Sequence, residues 1–200
     1  MKKEKLEKIR ELLIVVDMVN GFVREGAMAD SYIAHIIPTI EKMVNEFLSE
    51  DGKAVAFIKD NHEEDAREFL RYPKHCVIGT KEADLVDELI PCEKFGYVYP
   101  KNSTSAMFAP GFIPDIDKME NLERVYGVGC CTDICDTNLF IPLQNYFDQM
   151  DRDIEIIVPQ DGVETYDAPY HNRDEWNNKA FDFMRQAGIK LVKQYKKEGK

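Results

Sequence analysis

Glu11-Leu-Leu-Ile-Val-Val-Asp17 is apolar at five consecutive positions between two carboxylates. A strand with one face in water alternates apolar and polar residues, whereas a run apolar on both faces belongs to a strand covered on both sides. Lys53-Ala-Val-Ala-Phe-Ile-Lys59, Arg124-Val-Tyr-Gly-Val128 and Ile154-Glu-Ile-Ile-Val158 read as strands on similar grounds. Between the first two, Ser31–Ser49 repeats Ile33, Ile36, Ile37, Ile40, Met43, Val44, Phe47 and Leu48 at helical spacing, and Asp51-Gly52 stops it. A second helix pattern runs from near Cys135 to about Met150, and a third from His171 to Gln186, ended by Gly188. Phe95–Tyr99, broken by Gly96 and stopped by Pro100, and Ile189–Val192 supply the remaining strands. This alternation predicts an α/β fold, a three-layer α/β/α sandwich around a mainly parallel sheet of six strands. Right-handed crossovers would align the C-terminal strand ends along one edge, where open α/β sheets bind ligands.

The rest of the chain suits that reading. Its 200 residues fit one domain, 1–200, with a core of about 11–193 between the charge-rich tails MKKEKLEKIR and KQYKKEGK. Asp and Glu outnumber Lys and Arg by 37 to 26, a net charge of −11 that disfavours a phosphate-tracking nucleic-acid partner. Eleven Phe and nine Tyr argue against disorder. The early apolar run Leu12–Val16 is too short for a signal peptide or a membrane span, so no membrane partner is expected. Five cysteines, Cys76, Cys92, Cys130, Cys131 and Cys135, are odd in number and lack Cys-x-x-Cys zinc spacing. Free thiols of this kind fit a reducing cytoplasm.

Four places could carry chemistry. Asp17 ends the first strand, where it serves either a site or a turn cap. Cys135 follows a strand and a small-residue turn, at a helix start whose dipole and N–H groups favour thiolate and could receive an oxyanion; a buried inert thiol is the other reading. Lys101 reads by itself as a solvated loop lysine, yet beside a thiol and a carboxylate it would lower the thiol pKa. Asp60 and His62 sit two apart at a strand end and so point the same way if extended. With His75 and a further carboxylate they form an N/O set suited to Zn²⁺, Mn²⁺ or Fe²⁺, or else an acidic surface loop holding two incidental histidines.

Taken together, Val16-Asp17-Met-Val-Asn20-Gly-Phe22, Asp60-Asn-His62, Tyr72-Pro-Lys-His75-Cys76-Val-Ile-Gly79-Thr80, Lys101-Asn-Ser-Thr-Ser105 and Val128-Gly129-Cys-Cys131-Thr132-Asp133-Ile-Cys135 resemble the isochorismatase-like cysteine hydrolases, and among them the nicotinamidases (pyrazinamidases). The resemblance implies a catalytic triad of Asp17, Lys101 and Cys135. It also implies an oxyanion hole at the backbone N–H groups of Cys131 and Cys135, and a cis peptide bond between Cys130 and Cys131. Phe22 and Tyr72 would flank the substrate ring. One divalent metal ion, zinc first and iron or manganese next, would take Asp60, His62 and His75. Glu68 is the fourth ligand by spacing, with Glu64 second. The implied activity is hydrolysis of nicotinamide to nicotinate and ammonia through a cysteine thioester, in NAD salvage, by a homo-oligomer. A ureido or N-carbamoyl amide is the alternative substrate within the family. A nucleotide- or flavin-binding module lacks its glycine-rich motifs here, and a catalytically silent scaffold would not need the triad. Departures from the family pattern are Val19 and Gly21, where Gln and Asp are usual, and Cys130 and Cys131, where an aliphatic residue and Ala are usual.

Overall fold

The computed structural model describes residues 1–196. Its strands are β1 (Glu11–Val16), β2 (Lys53–Asp60), β3 (Tyr97–Lys101), β4 (Arg124–Cys130), β5 (Glu155–Pro159), β6 (Val163–Glu164) and β7 (Lys190–Val192). The helices are α1 (Asn20–Val23), α2 (Ile37–Phe47), α3 (Ile90–Glu93), α4 (Phe112–Lys118), α5 (Thr137–Gln149) and α6 (Arg173–Gln186). Six strands line up as β3-β2-β1-β4-β5-β7, all neighbours parallel, and the two-residue β6 pairs with the end of β4. The sheet therefore has one strand more than the apolar runs predict, because a two-residue strand leaves no periodicity to read.

Alternation along β1 builds the layers. Leu12, Ile14 and Val16 face a core completed by Phe112 and Ile116 of α4, Leu139, Leu143 and Phe147 of α5, and Phe181 of α6. Leu13 and Val15 face the opposite core, filled by Ile37, Ile40, Met43, Val44 and Phe47 of α2. Both sets of β1 side chains are fully buried, as an all-apolar run requires.

Three local readings change. The Ser31–Ser49 pattern divides into a 3₁₀ segment, Ser31–Ile36, and α2, with Pro38 in the first turn of α2, where its missing N–H costs nothing. Pro100 does not stop the third strand: β3 continues to Lys101, because β3 is an edge strand that tolerates a residue without N–H. His171 precedes the last helix, whose N-cap is Asn172, its side chain accepting from Glu175 N–H. The C-terminal tail beyond residue 196 lies outside the described residues.

Candidate active site

The strand order places the C-terminal ends of β3, β2, β1 and β4 side by side, and each delivers one of the singled-out residues: Lys101, Asp60, Asp17 and, one turn beyond β4, Cys135. Asp17 follows the last residue of β1 in the left-handed region, φ 50°, which Asp tolerates better than most side chains. Gly129 in β4 has φ +130°, and a Cβ there would lie 2.0 Å from the Val16 carbonyl oxygen, so only glycine lets β4 pass this close to the end of β1. The Cys130–Cys131 peptide bond is cis, as the resemblance implies. Cys135 then sits in a wide π-helical turn, Thr132–Asp136, that runs directly into α5.

Lys101 is buried, against the solvated-loop reading, and its ammonium meets two carboxylates: Asp17 Oδ2 at 2.9 Å and Asp60 Oδ1. Its Nζ lies 4.0 Å from Cys135 Sγ. Burial pulls the Lys101 pKa down, but the charges of Asp17 and Asp60 outweigh it and hold the ammonium well above the ordinary lysine value. Burial pushes Asp17 up to about 6 against the pull of Lys101. Burial likewise pushes the Cys135 thiol well above the ordinary cysteine value, with Lys101 opposing and Asp17 and Asp60 adding to the rise. Desolvation thus opposes the thiolate that the helix-start position favours. Asp17 Oδ1 accepts the Asp60 N–H at 2.8 Å, which fixes its orientation.

Asp60, His62 and His75 converge beside this set, with Asp60 and His75 lining the adjoining cavity and His62 buried behind them. Asp60 Oδ2 lies 3.2 Å from His62 Nε2 and 3.3 Å from His75 Nε2. His75 arrives because the chain after Pro73 runs beside the continuation of β2, with His62 N–H donating to the Cys76 carbonyl and Ile78 N–H to the His62 carbonyl. Each imidazole is oriented through its other nitrogen: His62 Nδ1 to Asn102 Oδ1 at 3.0 Å, and His75 Nδ1 to the Pro73 carbonyl at 2.7 Å. Those acceptors take Nδ1 hydrogens, and Glu63 N–H donating to the same Asn102 oxygen fixes that amide. Two Nε2 lone pairs and a carboxylate then face one another with His62 Nε2 buried and without a hydrogen bond, the donor chemistry a divalent cation satisfies. Burial raises the Asp60 pKa, but the Lys101 ammonium leads the opposing pull that holds the carboxyl below the usual carboxylate range.

Glu68 lines the same cavity, but its Oε1 accepts from Thr104 Oγ1 at 2.6 Å, and the three converging ligands are Asp60, His62 and His75. Glu64 is exposed and paired with Lys74, so it is not brought in. Phe22 packs against His75, ring centroids 5.5 Å apart, and Tyr72 lines the cavity. The cavity holds about 710 Å³ and reaches Cys131 and Cys135 at its floor. It also includes Tyr166, a wall residue that sequence reasoning missed. Behind that wall the largely buried side chains of Asp133 and His171 face each other.

Cys135, Asp17 and Lys101 thus meet, buried, at the C-terminal edge of a parallel sheet in an α/β/α sandwich, the architecture of an isochorismatase-like hydrolase. The chain belongs to the isochorismatase family, whose Isochorismatase domain model matches residues 11–194. Nicotinamidase 1 of Arabidopsis thaliana is 29% identical over 178 residues, covering 80% of this chain and 71% of the relative. The N-carbamoylsarcosine amidase of Thermoplasma acidophilum superposes with a TM-score of 0.74 at 25% identity, covering 96% of this chain and 100% of that one. The pyrazinamidase of Pyrococcus horikoshii, solved in complex with zinc, has a TM-score of 0.73 at 24% identity, with 93% and 99% covered. Among the described residues, no helix is long and apolar enough to cross a membrane.

Proposed function

We propose that this chain is a metal-containing nicotinamidase, hydrolysing nicotinamide to nicotinate and ammonia. The observation that carries the reading is the Asp60–His62–His75 cluster, which reaches through Asp60 and His75 into the cavity that Cys135 also lines. A cysteine hydrolase needs the thiol, carboxylate and ammonium for its chemistry; the convergent ligand set is the feature that a pyridine substrate gives a use. Zinc is the first choice, with iron or manganese next, and a bound divalent ion supplies a Lewis acid for the ring nitrogen, holding the carboxamide toward the thiol. Support for zinc comes from the donor set and from the pyrazinamidase relative solved with zinc.

The protein's own groups account for each proton. Asp17 takes the Cys135 proton as sulfur attacks the amide carbon, and Lys101 stabilises the anionic charge that develops between them. The tetrahedral oxygen rests on the backbone N–H groups of Cys131 and Cys135, both at the cavity floor. Asp17 returns its proton to the departing ammonia, leaving a thioester, and then activates the water that hydrolyses it. Phe22 and Tyr72 exclude water from the flanks of the ring.

Ammonia release from nicotinamide tests the reading, with N-carbamoylsarcosine in parallel tubes and Cys135→Ala as control. Release that vanishes in the variant and falls after chelation supports it. Turnover of the carbamoyl substrate alone would replace nicotinamidase with the ureido and N-carbamoyl branch.

A further inference from the structure

The β4–β6 ladder ends at Cys130 and Glu164. Beyond it, side chains rather than backbone join the turn carrying Cys135 to the cavity wall. Asp133, two residues before Cys135, accepts from Thr165 Oγ1 on Oδ1 at 2.5 Å and faces His171 Nε2 with Oδ2 at 2.9 Å. His171 Nδ1 lies 3.0 Å from the Tyr166 carbonyl. A carbonyl only accepts, so Nδ1 donates, and Nε2 and the Asp133 carboxylate hold one proton between them. The imidazole is also clamped between two rings: Tyr166 on one face, centroids 3.9 Å apart and 10° from parallel, and Trp176 of α6, 5.0 Å away and 2° from parallel. The two side chains are only 6% and 7% exposed, so little water reaches the pair. Tyr166 faces the cavity that Cys131 and Cys135 floor.

We propose that the Asp133–His171 pair is a positioning device that locks the Cys135 turn to the Tyr166 wall of the substrate cavity. Neither residue touches the reacting atoms. Asp133 fixes the turn from which the thiol projects, and His171 ties that carboxylate to the backbone and the ring of the wall. The proposal rests on the reading of Cys135 as nucleophile but not on the identity of the amide. A misplaced nucleophile loses rate steeply, about 100-fold for displacements near 1 Å.

The test measures two rates: nicotinamide turnover by the metal-replete protein, and alkylation of Cys135 by iodoacetamide, followed by peptide mass. Asp133→Ala is expected to lower both about 10- to 100-fold, while KM stays within about threefold because His171 remains stacked on Tyr166. His171→Ala is expected to lower kcat similarly and also to raise KM, since the wall loses its backing. Asp133→Asn should stay within about threefold of wild type, because an amide can donate to a neutral Nε2 and still accept from Thr165. Alkylation should reach full stoichiometry in each folded variant, only more slowly; a partly unfolded population would lower the amplitude instead. Should His171→Ala not fold, the comparison of Asp133→Ala with Asp133→Asn decides. Both rates within about twofold of wild type in Asp133→Ala would overturn the proposal, as would an Asp133→Asn variant as slow as Asp133→Ala. If nicotinamide is not turned over even by the wild type, the alkylation rates still test the device while the substrate assignment fails.

Discussion

At the scale of single residues, burial sets the chemistry. Asp17 is fully buried, which pushes its carboxyl up to about 6, so the proposed base for Cys135 works only above that pH. In metal-free protein, Cys135 alkylation should therefore fall about tenfold per pH unit below about 6, and Asp17→Asn should be slow with no such limb. A wild-type profile flat from pH 5 to about 8 would remove Asp17 as the base. Asp136 next to Cys135 poses a different problem: it is fully buried, and neither carboxylate oxygen has a hydrogen-bond partner among the described residues. Burial, reinforced by Asp17 and Asp133, pushes its pKa well above the ordinary aspartate value. An acid raised in the folded state binds its proton more tightly there than in the unfolded chain. Its relative stabilisation is complete below the unfolded pKa and is lost as pH rises toward the folded one. Asp136→Asn, which cannot ionise, should match wild-type stability near pH 4 and gain on it by up to about 1.4 kcal/mol per pH unit above that. Denaturant melts of both proteins at pH 4, 6 and about 8 would show this, and a constant difference across the series would refute it.

Among the elements, what can be read from sequence follows what repeats. β1, β2, β4 and β5 announce themselves as apolar runs, and α2 by its spacing, because buried faces impose a period. Lys101 gives no such signal: it looks like a loop residue after Pro100, and only the edge position of β3 makes that proline harmless and carries the lysine into the interior. His171 is equally silent, since its partner Asp133 lies 38 residues away, a separation no local pattern records. Asp60, His62 and His75 are legible as a set, but their convergence depends on the chain after Pro73 lying beside β2. One compensation in α5 is likewise invisible from local sequence. Pro142 lies inside that helix and has no N–H to give the Asn138 carbonyl; Ser105 Oγ donates to that oxygen instead, at 2.7 Å. Ser105→Ala should therefore cost about 1 kcal/mol in denaturant melts, and Ser105→Thr, which keeps the hydroxyl, should cost less. Equal losses in the two variants would mean the hydroxyl is not the relevant group.

Across the whole molecule, the proposed metal ligands Asp60, His62 and His75 and the sheet answer to different forces. The two cores on either face of the sheet do not include the ligand side chains, so chelator-treated protein should still melt as a folded unit. The ligands, however, join two pieces of chain: Asp60 and His62 come from β2 and its continuation, and His75 from the segment that returns beside it. An ion bound only when these are folded together adds to stability by mass action, about 2.7 kcal/mol when free metal is 100 times the dissociation constant. For a chain of this length that corresponds to a rise of roughly 5–10 °C in Tm. The rise should appear on adding Zn²⁺ to chelator-treated wild type and vanish in His75→Ala. Amide exchange should slow on loading chiefly over residues 60–78, because the remainder of the sheet is already held by its ladders and cores. A zinc-induced shift that survives His75→Ala would place the ion elsewhere, and no shift in wild type would leave the facing histidines and carboxylate to be satisfied by protons alone.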